Sequence, residues 1–118
     1  MAKRYFPTRG DVVWIDFEPG AGREQAGRRP ALVLSPKSYN RKVRLAILCP
    51  VTTKAKGYPF EVPLPDGLPV TGVVLSDQAK SLDWRIRNAE FLCAVPGETL
   101  DLVLAKLATL LKPGDPTR

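Results

Sequence analysis

The chain has 118 residues and a formal net charge of +6, with 44% hydrophobic and 25% charged residues. This length predicts one domain, 1–118, with one core, and the composition excludes a wholly disordered chain. The sequence contains no histidine, so Ser–His and Cys–His catalytic triads are excluded. Carboxylate, hydroxyl, lysine and arginine groups are left for any acid–base chemistry, and the positive charge suits a polyanionic partner.

Short strands dominate the predicted elements, because twelve prolines and nine glycines favour many turns. Apolar and alternating runs predict strands at 11–17, 31–34, 43–53, 72–75 and 91–95, a short one through Phe60 and Val62, and a strand or 3₁₀ turn at 77–84. The connection 18–29 is charged and glycine-rich, and Pro30 is expected to open the second strand. A polar turn is expected at 36–42, and Pro50 indicates an edge, bulge or bend in the third strand.

The only convincing helical pattern lies near the C-terminus, where apolar residues recur at i, i+3, i+4 and i+7 from Leu100 to Leu111. Glu98 lies near the predicted start, and Pro113–Gly114 is expected to end the helix, with a flexible tail at 113–118. The predicted fold is therefore mainly β (α+β): a small, strongly bent sheet or barrel with one C-terminal helix.

Cys49 and Cys93 both lie in apolar runs, which predicts buried thiols rather than a disulfide or a metal site. Asp16 and Glu18 share a strand face, but without histidine or a third clustered carboxylate we expect no bound metal and no cofactor. No segment approaches membrane-spanning length and no apolar leader is recognisable, so we expect no membrane association and a cytoplasmic location.

The segment 24–30 concentrates polar groups directly before a predicted buried strand. Arg28 and Arg29 present guanidiniums suited to bidentate phosphate binding, or one of them neutralises Glu24 or Asp16 at the surface. Glu24 is a solvated loop acid or a general base. The residues alone leave both alternatives open.

A second polar cluster begins where the third strand ends. Thr52 and Thr53 are either ordinary strand residues or hydroxyl donors to a phosphoryl oxygen. Lys54 and Lys56 add positive charge, and Tyr58 could stack on a nucleobase. Further along, Asp77 is a hydrogen-bond organiser or a catalytic acid, followed by Gln78 and Lys80.

Taken together, these residues resemble the MazF/PemK family, the toxins of type II toxin–antitoxin modules. The most specific parts of the resemblance are the run Glu24-Gln25-Ala26-Gly27 with Arg29-Pro30, the pair Thr52-Thr53, and the run from Lys56 to Glu61. Weaker matches include Trp14, Leu34-Ser35-Pro36, Tyr39-Asn40 and Asp77-Gln78, so the resemblance covers nearly the whole chain.

The resemblance implies a homodimeric, SH3-like barrel that cuts single-stranded RNA at short sequences without metal, inhibits translation and growth, and is neutralised by an acidic antitoxin with a disordered tail. By matching the family motif, Arg29, Thr52 and Glu24 are expected to be catalytic. Expected products are a 2′,3′-cyclic phosphate and a 5′-hydroxyl. Residues expected to contact RNA are Asp16, Phe17, Gln25, Arg28, Thr53, Lys54, Lys56, Tyr58, Phe60, Gln78 and Lys80.

This chain departs from one branch of the family, in which a loop histidine and a strand arginine act with the aspartate that matches Asp77. Arg23 and Leu75 occupy those two positions here, so Asp77 is only a secondary catalytic candidate. Two other functions remain open from the sequence. A gyrase poison of the related CcdB type would depend on a C-terminal aromatic tail, which this chain lacks. A nucleic-acid-binding barrel without enzymatic activity would not need the Glu24, Arg29 and Thr52 trio.

Overall fold

A computed structural model of the protein describes residues 4–17 and 27–114. These residues form seven strands and two helices. In chain order they are β1 (Asp11–Asp16), β2 (Arg28–Val33), α1 (Lys37–Val43), β3 (Leu45–Thr52), β4 (Glu61–Pro63), β5 (Val73–Leu75), β6 (Lys80–Asp83), β7 (Glu90–Ala94) and α2 (Gly97–Thr109).

The strands join into one antiparallel sheet with the order β4-β5-β3-β2-β1-β7, and β6 also pairs with β3. Between the described residues, no pairing connects the two ends of this order, β4 and β7, so the sheet is not closed. The predicted mainly β architecture with a C-terminal helix is confirmed. The hydrogen bonding is that of an open, bent sheet rather than a closed barrel.

Successive residues of a strand point to opposite faces of the sheet, and in the central strands both sets of side chains are buried. Val12 and Leu32 belong to a first apolar cluster, which the partly buried leucines of α2 cover. Val13 and Val33 belong to a second cluster that contains the buried Trp84. The central strands are therefore fixed from both sides, which positions the residues at their ends.

Pro50 lies inside β3, opposite Ala31 of β2. On its other side β3 pairs with β6 as far as Leu48 and with β5 from Val51 onward. The proline, which has no N–H to donate, thus lies where β3 exchanges one partner strand for another. This is the kind of irregularity that the sequence predicts at this position.

Three predicted boundaries are wrong. The expected polar turn at 36–42 is helix α1, whose single buried residue is the polar Asn40, so no apolar periodicity marks it. β2 begins at Arg28, which makes Pro30 its third residue and moves both arginines from the predicted loop into the strand. In the segment 77–84 only Lys80–Asp83 forms a strand.

Helix α2 is confirmed, although it ends at Thr109 rather than near Pro113. The two cysteines are free and buried, as predicted. Neither described helix is both long and apolar enough to cross a bilayer. Of the predicted flexible tail, residues 115–118 lie outside the described residues.

Candidate active site

The ends of β2 and β3 bring Arg29 and Thr52 together. In the ladder between these strands Ala31 pairs with Pro50. The ladder between these two strands ends at that pair, and Arg29 and Thr52 each lie two residues beyond it, one on each strand. Both side chains line one groove of about 540 Å³, here called the Arg29–Thr52 groove, and Trp14, Arg28, Thr53 and Lys54 also line it.

Thr52 is held from two directions. Its Oγ1 accepts a hydrogen bond of 3.1 Å from the backbone N–H of Lys54, which fixes the turn after β3. Beneath it, Gly72 has a φ of +121°, and a Cβ at Gly72 would lie 2.2 Å from the Thr52 carbonyl oxygen. Only glycine allows this close approach of two backbones. Sequence reasoning did not single out Gly72, and its only signal was a glycine immediately before a short strand.

The two neighbouring arginines have different surroundings. The Arg28 guanidinium donates to Asp16 Oδ1 at 2.9 Å, to the Asn88 carbonyl at 3.0 Å, and to the Glu90 carboxylate. Arg29 is exposed and forms no salt bridge with any residue in the described ranges. Neutralisation of Asp16, one of the alternatives that the sequence left open, therefore belongs to Arg28. The other alternative involves Glu24, which lies outside the described residues.

The Asp16 carboxylate is the centre of the Arg28 cluster. Hydrogen bonds from Asn88 Nδ2, at 3.0 Å, and from Arg28 lower the pKa of Asp16. Partial burial opposes the charge on Arg28, but its bonds to Asp16 and Glu90 raise its pKa overall. Arg28 stays charged, and its guanidinium is held in one orientation at the edge of the groove.

A second groove, of about 630 Å³, shares Thr52 and Lys54 with the first. It is here called the Tyr58–Asp77 groove, because the Tyr58 hydroxyl donates to Asp77 Oδ2 at 2.9 Å across it. That bond to the carboxylate raises the pKa of Tyr58. Lys56 and Gln78 also line the groove. Asp77 is thus a hydrogen-bond partner of Tyr58, the organising role that the sequence left open.

The turn that carries Lys56 is organised by Glu61, which was not among the predicted site residues. Its carboxylate accepts from the backbone N–H of Lys56 at 2.9 Å and from that of Gly57 at 3.1 Å. The Lys106 ammonium of α2 donates to the Pro59 carbonyl at 2.7 Å. The signal for Glu61 was its place at the end of the run that carries the family resemblance.

The aromatic candidates differ in exposure. Tyr58 is 48% exposed, and its ring centroid lies 5.8 Å from that of the half-buried Phe60. Phe17 is buried in the second core cluster, and the Lys80 ammonium lies 5.7 Å from its ring centroid. Tyr58 is therefore the one of these three rings that offers a large open face for stacking.

Glu24 and Gln25 lie outside the described residues. Among the described residues that line the Arg29–Thr52 groove there is no carboxylate. These residues supply hydrogen-bond donors and positive charge, which is the chemistry needed to hold a phosphoryl group. Within 4–17 and 27–114, no three histidine, cysteine or carboxylate side chains cluster as metal ligands would.

Comparison with known proteins places this geometry in context. Residues 8–111 match the family described as PemK-like, MazF-like toxin of type II toxin–antitoxin system. The endoribonuclease toxin MazF of Escherichia coli K12 is 50% identical over 111 residues, which are 94% of this chain and 99% of that protein. The crystal structure of MazF from Deinococcus radiodurans is 56% identical, with a TM-score of 0.84 over 92% of this chain and 98% of that one. A MazE–MazF crystal structure from the same organism is 52% identical, with a TM-score of 0.82 over 92% and 97%.

Proposed function

Because the chain belongs to the family of PemK-like, MazF-like toxins of type II toxin–antitoxin systems, we propose that it is an endoribonuclease that cuts single-stranded RNA at a short sequence. The observation that carries this proposal is the Arg29–Thr52 groove, which is lined by a hydroxyl and by a guanidinium that forms no salt bridge with any residue of 4–17 or 27–114. Cleavage of this kind would inhibit translation and growth in the cytoplasm. The proposal treats 1–118 as one domain, since every described strand belongs to one sheet.

The chemistry available to these groups is attack by the 2′-hydroxyl of RNA on its own 3′-phosphate. The substrate supplies the nucleophile, so the protein has only to align it, stabilise the phosphorane and manage two protons. Arg29 is the group to stabilise the developing negative charge, because a guanidinium does not deprotonate. Thr52 adds a neutral donor to the same oxygens. The products would be a 2′,3′-cyclic phosphate and a 5′-hydroxyl.

For the general base we propose Glu24. Its assignment rests on the resemblance to the family motif and on the lack of a carboxylate among the described lining of the Arg29–Thr52 groove. Asp77 is the secondary candidate, and its bond to Tyr58 places it in the adjoining groove. Thr53, Lys54, Lys56, Tyr58 and Gln78 line the two grooves and are proposed to contact the RNA.

A homodimer and an antitoxin complete the proposal. Large apolar side chains are exposed on this chain, among them Leu102 at 46% and Leu111 at 70%, and a second copy would cover such surface. One of the similar structures is a MazE–MazF complex, which supports an antitoxin as partner. That this antitoxin is acidic rests on the family resemblance. Light scattering of the purified protein would test the dimer directly.

The decisive experiment replaces Arg29 by alanine and maps 5′-hydroxyl ends after incubation with a long RNA. Loss of one donor to a developing oxyanion costs on the order of a hundred- to a thousand-fold in rate. We expect a loss of that size for Arg29→Ala. The matched control is Lys42→Ala, which removes one positive charge from exposed surface outside the groove and should cut at the parent rate. Cleavage by Arg29→Ala at the parent rate would contradict the assignment.

Metal independence is tested separately. The parent protein should cut equally well in EDTA and in magnesium. Activity that is lost in EDTA and restored by magnesium would contradict the proposed metal-free reaction.

A further inference from the structure

A third groove, of about 760 Å³, is lined by four arginines: Arg4, Arg41, Arg44 and Arg85. It is here called the arginine groove. None of these residues belongs to the site described above. They come from the N-terminal segment, from the end of α1 and from the turn after β6. Three separate parts of the chain therefore direct positive charge to one place.

The floor of the arginine groove is held rigidly. The buried Trp84 donates from Nε1 to the Asn40 carbonyl at 2.9 Å. The Phe6 ring packs edge-on against Trp84 with centroids 5.7 Å apart, and the Arg41 guanidinium lies 5.5 Å from the Phe6 centroid. Arg41 is thus oriented by stacking before any ligand arrives, which reduces the entropy lost on binding.

The described residues that line the arginine groove do not neutralise its four guanidiniums. Glu90 is the one carboxylate among its described lining residues, and it is already paired with Arg28. None of the four arginines forms a salt bridge with a residue in 4–17 or 27–114. Four guanidiniums around one cavity repel each other, and an anion with several charges along its length would relieve that repulsion.

The arginine groove and the Arg29–Thr52 groove meet at Arg28. Arg28 lines the Arg29–Thr52 groove, and its guanidinium donates to the Asn88 carbonyl and the Glu90 carboxylate. Asn88 and Glu90 both line the arginine groove. One extended polyanion can therefore follow both grooves. Planar guanidinium forks match phosphate and carboxylate oxygens alike. What favours a phosphodiester backbone over an acidic peptide is that the arginine groove continues into the groove where RNA is proposed to be cut.

We propose that the arginine groove binds the sugar–phosphate backbone of single-stranded RNA beyond the cut site, and so makes long RNA a better substrate than short RNA. This inference rests on the proposed function. The arginine groove gives affinity without reading sequence, because phosphate contacts carry no base information. Its effect is expected in KM and in the salt dependence of binding, and not in kcat.

The test compares two double variants that remove the same charge from α1 and the residue that follows it. Arg41→Gln/Arg44→Gln alters the groove, whereas Lys37→Gln/Lys42→Gln alters exposed residues that do not line it. Binding is measured with RNA that carries a 2′-deoxynucleotide at the cut site, so that it cannot be cleaved. One oligonucleotide spans only the cut site and another extends on both sides. Arg4→Gln/Arg85→Gln repeats the test without disturbing the stacking on Phe6.

Each phosphate contact with single-stranded nucleic acid contributes about 0.7 to the slope of log K against log salt, so loss of two contacts lowers the slope by about 1.4. The arginine variants should therefore bind long RNA more weakly than the parent does. The ratio of the two affinities should grow about sevenfold as the salt falls from about 200 to about 50 mM. Short RNA should bind and be cut equally by both double variants and the parent.

Several outcomes would overturn the inference. They are an equal loss in the lysine variant, an unchanged affinity for long RNA in both arginine variants, and binding of a polyglutamate peptide in the groove without any effect on RNA. The proposed function fails in a different way. The parent would then cut no RNA, while the binding difference between the arginine and lysine variants persists.

Discussion

Replacing Asn40 by alanine should destabilise the protein strongly. Asn40 is fully buried, and its side chain donates to the carbonyls of Pro7 at 2.8 Å and Ser35 at 3.0 Å. Its Oδ1 accepts from the Ser35 hydroxyl at 2.5 Å, and that hydroxyl oxygen accepts from the Ile47 N–H at 2.8 Å. One amide therefore connects the N-terminal segment, α1 and β3.

The magnitude follows from the groups that alanine would leave behind. Three side-chain hydrogen bonds are lost, each contributing about 1 kcal/mol. This sum of about 3 kcal/mol is the lower limit, because the loss of a bond costs up to about 3 kcal/mol where the partner stays buried without a substitute. The free energy of unfolding should fall by about 3–5 kcal/mol, a large part of the roughly 5–15 kcal/mol that stabilises a domain of this kind.

Urea unfolding measures this loss, with fluorescence of the buried Trp84 as one probe. A loss of 3 kcal/mol lowers the midpoint by about 1–3 M, given slopes of about 1–3 kcal/mol per M. Ser38→Ala, an exposed change on the same helix, should stay within about 0.5 kcal/mol of the parent. All proteins are compared at one concentration, because a dimer's stability depends on it. A loss below about 1 kcal/mol for Asn40→Ala would refute the reasoning.

Two further predictions concern the site. Gly72→Ala should destabilise the protein by at least about 2 kcal/mol more than Gly57→Ala, because both glycines have positive φ but only a Cβ at Gly72 meets the Thr52 carbonyl. Equal midpoints for the two variants in thermal unfolding would show that this contact is unimportant. The pKa of Asp16 is lower in the folded protein than its ordinary value of 3.8, so the Asp16 carboxylate stabilises the fold fully at pH values above 3.8. This stabilisation is lost as the pH falls through the lowered pKa. Asp16→Asn should therefore be less stable than the parent at neutral pH and equal to it in strong acid, and a difference that persists in acid would contradict the ion-pair account.

The strands of this fold could be predicted from the sequence because most of them carry apolar runs between proline and glycine turns. α1 could not be predicted, since the one side chain it buries is an amide, and one of that amide's hydrogen-bond partners, Pro7, is distant in sequence. The start of β2 was also missed. Its first residues are charged, and only the cross-strand pairing of Arg28 with Asp16 shows why they belong to a strand.

The candidate site could be predicted as a set of residues but not as a geometry. The family motif predicts Arg29 and Thr52, yet the groove that they share depends on how β2 and β3 pair in the sheet. Apart from the family motif, nothing in the sequence distinguishes Arg28 from Arg29, because the difference lies in whether Asp16, Asn88 and Glu90 surround the guanidinium. Those partners are far apart along the chain, and only the folded sheet brings them together.

The positions of Arg29 and Thr52 explain why this chemistry belongs on strands rather than on loops. A shift of one residue between β2 and β3 would turn each side chain to the opposite face, so the register that buries Ala31 and Cys49 also fixes the two donors. Donors that stabilise a transition state must be held within about 0.5 Å of their productive position. The positions of Lys56 and Tyr58 do not depend on the pairing of β2 with β3, because these residues lie on a turn that is held by Glu61 instead. The proposed catalytic pair is thus tied to the core, whereas the turn that carries Lys56 and Tyr58, proposed to contact the RNA, can change without moving this pair.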